Sequence, residues 1–321
     1  MKVLTIILMT VLTSGIVFAE TDEYKPPPEH KQAQKSVKEP GAVYVGMPEQ
    51  NLYDAFIRKQ QKVYYKNGEG EWIPLASWRS ELQYNRAISD CNKAVALDPD
   101  NPYNLFTRGW VYGKQGEYDK AISDFTKAIK LNPDYAQAYA NRGWVYSKKL
   151  EYKRAISDCT KAIELDPVSP YSYFTRGWVY TKEDEYDKAI SDFDKAIELD
   201  PEYTEAYAYC GQAYVKKGQY ARAIFDLNKA IRLNPGYAFA YCNRAKIFQK
   251  QGKYDLALSD LNKAIKEDPN YSDAYYDRAY VYYMKKKYNK SWEDVHRARE
   301  AGQKINPEFL EDLRKVSDRE E

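Results

Sequence analysis

Histidine and cysteine are scarce in this chain of 321 residues. The only histidines are His30 and His296, and the four cysteines form no C-x-x-C pair. This excludes the usual ligand spacings of a zinc site. The sequence also has no nucleophile elbow and no glycine-rich phosphate loop, and we interpret its many carboxylates as structural. We therefore predict a protein that is not an enzyme and that binds no metal and no cofactor.

An excess of charge of one sign is absent as well. The 49 basic and 47 acidic side chains nearly cancel, which argues against a dedicated binder of nucleic acid or membrane surfaces. After residue 19, no apolar stretch is long enough to span a membrane. Tyrosine is abundant by contrast, with 32 residues against 10 phenylalanines, and its half-polar ring suits interfaces.

The segment 1–19 has the layout of a secretory signal peptide. Lys2 supplies a positive start, an apolar stretch follows, and Val17 and Ala19 are small residues before a cleavage point. An uncleaved anchor helix is the alternative, but an apolar run of about 16 residues is short for a span. We expect cleavage after Ala19 and an exported protein, either periplasmic or secreted.

Two further segments precede the regular part of the chain. Residues 20–41 are polar, charged and rich in proline, and they predict a disordered tether. Residues 42–76 predict a small mixed α/β segment that caps the regular part, with Asn67-Gly68 as its hairpin turn. Its predicted elements are a strand at 42–45, a helix over 48–58, and paired strands at 62–66 and 71–74.

Proline then recurs at a constant interval of about 34 residues. A repeat of this period predicts a solenoid of helical hairpins. In the unit 102–135, apolar and small residues share one stripe over 104–116, and a second stripe runs over 118–131. Proline ends the second helix because it disfavours helix in the residue before it. The recurring prolines are Pro99, Pro133, Pro167, Pro201, Pro235 and Pro269.

Other positions repeat with the same period. Position 8 is Gly or Ala in units two to seven, position 17 is Tyr and position 27 is Ala in all seven, and position 20 is Ala in the first six. The pattern resembles the tetratricopeptide repeat family over residues 77–303. The resemblance implies an all-α, right-handed superhelical solenoid of about six to seven hairpins, and residues 304–321 predict a capping helix and tail. The units begin at residues 68, 102, 136, 170, 204, 238 and 272.

Arginine at position 7 and aspartate at position 23 also recur. We interpret each pair as an ion pair between the two helices of one hairpin, since a bidentate Arg–carboxylate contact suits a core edge; an acid/base array is the alternative. Unit five has Cys210 in place of arginine, which leaves Asp226 without that partner. The arginines are Arg108, Arg142, Arg176, Arg244 and Arg278.

The repeat register argues against disulfides. Cys91 and Cys159 both occupy position 24 but lie two repeats apart, beyond the reach of a disulfide. Cys210 and Cys242 lie on neighbouring first helices at different angular positions, where a bond is the less favoured alternative. We expect four free thiols.

Tryptophan occupies position 9 in three successive units. That position points about 140° away from the core-facing position 4 of the first helix, and the family resemblance implies that this side lines a concave groove. Lysine at position 13 points the same way. The alternatives are that the tryptophans only fill gaps between helices and that the lysines are a solvated face. The predicted groove residues are Tyr103, Phe106, Trp110, Lys114, Trp144, Lys148, Tyr171, Phe174, Trp178, Lys182, Gln212, Lys216, Lys246 and Lys250.

These observations predict a non-catalytic interaction scaffold that acts outside the cytoplasm. Its groove would bind an extended peptide or a partner protein, with aromatic contacts for affinity and lysines that favour acidic segments. A binder of envelope or anionic polysaccharide is the alternative. The carboxylate clamp of chaperone-tail-binding members is excluded, because only Asn141 and Asn243 match its pattern.

Overall fold

The structure is a computed structural model that describes residues 81–317 and five short strands before them. Strands β1 and β2 are antiparallel, β3 is parallel to β4, and β4 is antiparallel to β5. The predicted helix over 48–58 and the tether at 20–41 lie outside the described residues, so the N-terminal cap stays a prediction. The strands are β1 (Thr10–Leu12), β2 (Gly15–Val17), β3 (Val43–Val45), β4 (Val63–Lys66) and β5 (Trp72–Pro74).

Residues 81–317 are all-helical and contain 14 helices joined by short turns. None of these helices is long and apolar enough to cross a membrane. The helices are α1 (Glu81–Leu97), α2 (Pro102–Gln115), α3 (Tyr118–Leu131), α4 (Ala136–Lys148), α5 (Tyr152–Leu165), α6 (Pro170–Lys182), α7 (Tyr186–Leu199), α8 (Thr204–Lys216), α9 (Tyr220–Leu233), α10 (Ala238–Lys250), α11 (Tyr254–Glu267), α12 (Ser272–Met284), α13 (Tyr288–Glu300) and α14 (Pro307–Ser317).

Helices α2 to α13 form six consecutive hairpins. Each first helix packs against its own second helix, against the second helix of the preceding hairpin, and against the neighbouring first helices. The chain reverses within each hairpin through one residue in the left-handed region, which is Gly116 in the first and Leu150 in the next. Glycine adopts this conformation without steric cost, whereas Leu150 adopts it at a steric cost. Tandem hairpins of this kind agree with the predicted helical solenoid.

Glycine at position 8 allows the two helices of a hairpin to approach closely. A Cβ atom built on Gly143 would lie 2.8 Å from the Cys159 Sγ atom, and one on Gly211 would lie 2.7 Å from Leu227 Cγ. Real Cβ atoms do not approach other atoms so closely, so a larger side chain would push the helices apart. The glycine at position 8 therefore permits the close contact between the two helices.

The predicted Arg–Asp pairs are confirmed in five hairpins. In the first, Arg108 donates from Nε and Nη2 to Asp124 over 2.7 and 2.8 Å, and from Nη1 to Asn92 of the preceding unit over 3.0 Å. Each arginine thus joins the two helices of its hairpin and also reaches the previous repeat. The same geometry recurs at Arg142, Arg176, Arg244 and Arg278.

The hairpin α8–α9 is the exception. Cys210 is fully buried where the other hairpins have arginine, and its thiol lies 3.8 Å from an oxygen of Asp194. Burial raises the pKa of the Asp226 carboxyl to about 6, and the charge of Asp194 adds to this effect. The folded state therefore holds a proton on Asp226 more tightly than the unfolded chain does. All four cysteines are free thiols, as expected.

Helix α14 covers the apolar end of the last hairpin. It buries Phe309, Leu310 and Leu313 in one cluster with Trp292 and Val295 of α13. The indole N–H of Trp292 also donates to Ser317 Oγ over 3.0 Å. An end hairpin has no following repeat to bury its apolar face, and a helix with a matching apolar stripe fills that role.

Replacing Leu313 by alanine tests this packing. The side chain is fully buried, so we expect a loss of about 2–5 kcal/mol in the free energy of unfolding, measured by urea denaturation. Val316 lies on the same helix and is 42% exposed, so Val316→Ala is the matched control and should leave the transition nearly unchanged. Equal effects of both substitutions would contradict the packing.

Replacing Asp226 by asparagine tests the effect of a buried carboxyl that lacks the arginine partner present in the other hairpins. Folding raises the pKa of this carboxyl, so the free energy of unfolding falls as the pH rises from about 4 to about 6. At neutral pH, Asp226→Asn should therefore raise the free energy of unfolding by about 1–3 kcal/mol, and the gain should vanish below about pH 4. The matched control is Asp192→Asn, which breaks the bidentate pair with Arg176 and should lower stability by about 1.5–3 kcal/mol. A loss of stability in both variants at neutral pH would contradict this interpretation.

Candidate ligand-binding groove

The three tryptophans at position 9 lie between successive first helices. Trp110 of α2, Trp144 of α4 and Trp178 of α6 are all half-buried, and each contacts the apolar core of the hairpins. The Trp144 ring reaches the preceding first helix, where its Cζ3 atom would lie 3.5 Å from a Cβ built on Gly113. The rings therefore fill space between repeats and also retain a solvent-facing part.

The lysines at position 13 alternate with these rings. The Lys114 Nζ atom lies 5.5 Å from the ring centroid of Trp110 and 5.0 Å from that of Trp144. Lys148 lies 5.3 Å from Trp144 and 4.7 Å from Trp178, and Lys182 lies 4.8 Å from Trp178. Each distance is within the range of a cation–π contact. We call this row the Trp–Lys ladder; it consists of Trp110, Lys114, Trp144, Lys148, Trp178 and Lys182.

The ladder concentrates positive charge beside apolar rings. Burial lowers the pKa of the Lys114 ammonium, and the neighbouring charge of Lys148 lowers it further. Burial likewise lowers the pKa of Lys148, with the charge of Lys182 as the second cause. Both effects disfavour the charged form. A bound ligand with negative charge would raise the pKa of both lysines again, because it stabilises their charged form.

The lysines at position 14 differ from those of the ladder. Lys149 lies 2.5 Å from a carboxylate oxygen of Asp119 in the preceding unit, and Lys285 lies 2.6 Å from Asp255 in the same way. Lys217 also pairs with Asp187. Within residues 84–317, by contrast, no carboxylate lies within 4.0 Å of the ammonium groups of the ladder. The adjacent residues Lys148 and Lys149, at the end of α4, therefore have opposite electrostatic surroundings.

Two predicted groove residues lie in the core instead. Phe106 is only 6% exposed, with its ring 5.6 Å from Phe125 and 5.0 Å from Tyr135. Tyr171 is also buried, in a cluster with Ala140 and Ala162. The prediction that they contribute to the groove surface was wrong. Tyr135, at the end of the same unit, covers Phe106, and helices α4 and α5 of the preceding hairpin cover Tyr171. Tyr103 and Phe174 retain exposure; Tyr103 is 40% exposed and Phe174 is half-buried.

The second half of the predicted groove has a different chemistry. Gln212 is half-buried, and Lys216 and Lys250 are exposed with no indole beneath them in the helices from α1 to α14. Lys246 lies 3.5 Å from a carboxylate oxygen of Asp277. Burial raises the pKa of Asp277 to about 6, and Lys246 partly opposes that shift. The lysine charge here is compensated within the protein.

Two aromatic residues that the sequence analysis missed extend the row of rings. Tyr209 and Phe239 pack against the same apolar cluster as Trp178, and their rings lie 4.6 Å apart. These residues occupy positions 6 and 2 of their helices, and position 6 carried no aromatic residue in earlier units. In the described part of the chain, no cluster of residues has the composition of a metal site.

Family models of the tetratricopeptide repeat match the chain without a break from residue 104 to residue 293. The matched segments described as tetratricopeptide repeat are 104–135, 136–167, 159–191, 238–271 and 261–293, and those described as TPR repeat are 177–218 and 211–252. The chain belongs to the tetratricopeptide repeat family. A comparison with curated proteins gave no significant match.

Solved structures show the same fold for this tetratricopeptide repeat protein. A chain of the APC/C hetero-tetramer Cut9-Hcn1 superimposes with a TM-score of 0.67 at 19% identity, over 76% of this chain and 48% of that one. This protein thus spans about half the length of that chain. A tetratricopeptide repeat protein from Parabacteroides merdae gives a TM-score of 0.58 at 22% identity, over 76% and 96% of the two chains. At these identities the likeness establishes the fold alone.

Selective acylation tests the electrostatic difference between the two lysine rows. A lowered pKa leaves more of an amine uncharged and nucleophilic at about pH 8. We therefore expect Lys114 and Lys148 to be acetylated about two-fold or more faster than Lys149, whose pKa is raised by its hydrogen bond to Asp119. Mass spectrometry of digested samples would measure each rate in one experiment. Faster modification of Lys149 would show that the ladder is an ordinary solvated row.

Proposed function

We propose that this protein is a non-catalytic scaffold that binds an extended segment of a partner protein along the groove formed by its first helices. Tetratricopeptide repeat proteins generally mediate protein–protein interactions, and the fold is typically a non-catalytic one. The observation that supports the groove is the Trp–Lys ladder, in which aromatic rings and uncompensated ammonium groups alternate across α2, α4 and α6.

The composition of this surface supports binding rather than packing alone. Tryptophan and tyrosine are the residues that most often dominate binding energies at protein interfaces. A core filler is normally buried completely, yet the three indoles keep exposed surface and have charged neighbours. The ladder is confined to the first three hairpins, whereas the later ones have Gln212 and a paired Lys246. This asymmetry would fix the direction in which a ligand lies.

The place of action is the second part of the proposal. The segment 1–19 matches the pattern of a secretory signal peptide, which supports a role outside the cytoplasm, in the periplasm or the medium. The partner would then be an exported or envelope protein.

Site-specific photo-crosslinking tests the groove as the binding surface. Tyr103 on the first helix α2 is 40% exposed, and Phe225 on the second helix α9 is 66% exposed, so each is replaced by benzoylphenylalanine with little change in ring size. In living cells of the source organism, we expect discrete protein adducts from position 103 and none from position 225. The adducts from position 103 should disappear in the Trp110→Ala/Trp144→Ala/Trp178→Ala variant, provided that its circular dichroism is unchanged.

Two results would contradict the proposed function. Identical adducts from both positions would indicate contact without a defined groove. Adducts at position 103 that persist in the folded triple variant would show that the tryptophans only pack between helices.

A further inference from the structure

The ladder rings do not present bare faces to a ligand. Trp144 has the ammonium groups of Lys114 and Lys148 over its ring, and Trp178 has those of Lys148 and Lys182. A sugar ring or an aromatic side chain needs an unoccupied face for stacking. A ligand therefore meets a row of ammonium groups that the indoles hold in place through cation–π contacts.

The ammonium groups of the ladder lack the aspartate partners that several lysines elsewhere in the repeats have. Within residues 84–317, Lys149, Lys217, Lys246 and Lys285 each lie close to an aspartate. Lys114, Lys148 and Lys182 have no such neighbour in that range, and each is near the next in the row. Three uncompensated charges at regular intervals are complementary to a linear ligand with regularly spaced carboxylates.

The interval between the charges sets the repeat of such a ligand. Helix α2 contacts α4, and α4 contacts α6; packed helix axes are separated by about 8–10 Å. A polyproline II peptide advances about 9.3 Å per turn of three residues. Every third side chain of such a peptide projects from the same face, so acidic residues at every third position would match one ammonium per repeat.

On the basis of the proposed function, we infer that Lys114, Lys148 and Lys182 recognise an extended acidic peptide in the polyproline II conformation, with a carboxylate at every third residue. Each ammonium would form a charge-assisted hydrogen bond to one carboxylate. The indoles would exclude water from these contacts and thereby strengthen them. The ligand backbone, preformed in this conformation, would lose little entropy on binding.

Synthetic peptides test both the charge and the spacing. The probes are fluorescein-labelled peptides of four Glu-Pro-Pro repeats, of four Gln-Pro-Pro repeats, and of four successive glutamates followed by eight prolines. Binding to the full chain is measured by fluorescence anisotropy at low ionic strength, where charge contacts are least screened. We expect the Glu-Pro-Pro peptide to bind about ten-fold or more tightly than either of the other two.

Lysine variants assign the binding to the ladder. Lys114→Gln/Lys148→Gln/Lys182→Gln should weaken binding of the Glu-Pro-Pro peptide by about ten-fold or more, whereas the corresponding arginine variant should retain it. The matched control is Lys149→Gln/Lys217→Gln/Lys285→Gln, which removes the same number of charges at position 14, directly after helices α4, α8 and α12. It should change the affinity by less than about two-fold.

Each of five results would overturn the inference. Equal binding of the glutamine peptide would exclude recognition of charge, and equal binding of the clustered peptide would exclude recognition of spacing. Equal effects of both glutamine variants would indicate that the peptide responds to the overall positive charge of the protein and does not contact the ladder lysines specifically. Binding of an oligogalacturonate probe without binding of the peptide would make the ligand an anionic polysaccharide. If no peptide binds while the crosslinks from position 103 persist in the wild type and disappear in the tryptophan variant, the scaffold function stands and the acidic ligand is wrong.

Discussion

The close approach of the two helices in each hairpin is the constraint on which the rest of the structure depends. A Cβ on Gly177 would lie 2.9 Å from the Phe193 ring, so the glycine face of the first helix must lie directly against the second. This contact fixes the rotation of the first helix about its axis. The residues at positions 9 and 13 then leave the core on the other side in every repeat, which brings tryptophans and lysines of successive repeats together.

The Arg–Asp pairs add a second, electrostatic constraint to this packing. Arg176 bonds Asp192 in its own hairpin and Thr160 in the preceding repeat, so it fixes both the hairpin and the stacking of repeats. Where the pair is lost, at Cys210, the carboxyl of Asp226 is buried without a cation and its pKa rises. The same hairpin is the first after the ladder to lack tryptophan at position 9, so the core and the row of position-9 residues change character at the same repeat.

Much of the fold could be predicted because its signals lie within one repeat. The hairpins, the close contact at Gly143 and the pairing of Arg142 with Asp158 all follow from helical spacing inside a single unit. The errors concerned contacts that a residue makes outside its own helix. Tyr135 lies after the second helix of the same unit and covers Phe106, and the angular position of Phe106 on its own helix contains no information about that contact.

The sequence by itself determined the period, the helical hairpins, the family and the face on which tryptophan and lysine emerge, because each depends on angles within a helix. Only the tertiary structure decided how those side chains combine. Lys148 lies over the rings of both Trp144 and Trp178, and Lys149 beside it pairs with Asp119. Both contacts cross between repeats, so they depend on the distance and rotation that relate one hairpin to the next. Helical periodicity does not specify these two quantities, since they result from the packing of whole hairpins against each other.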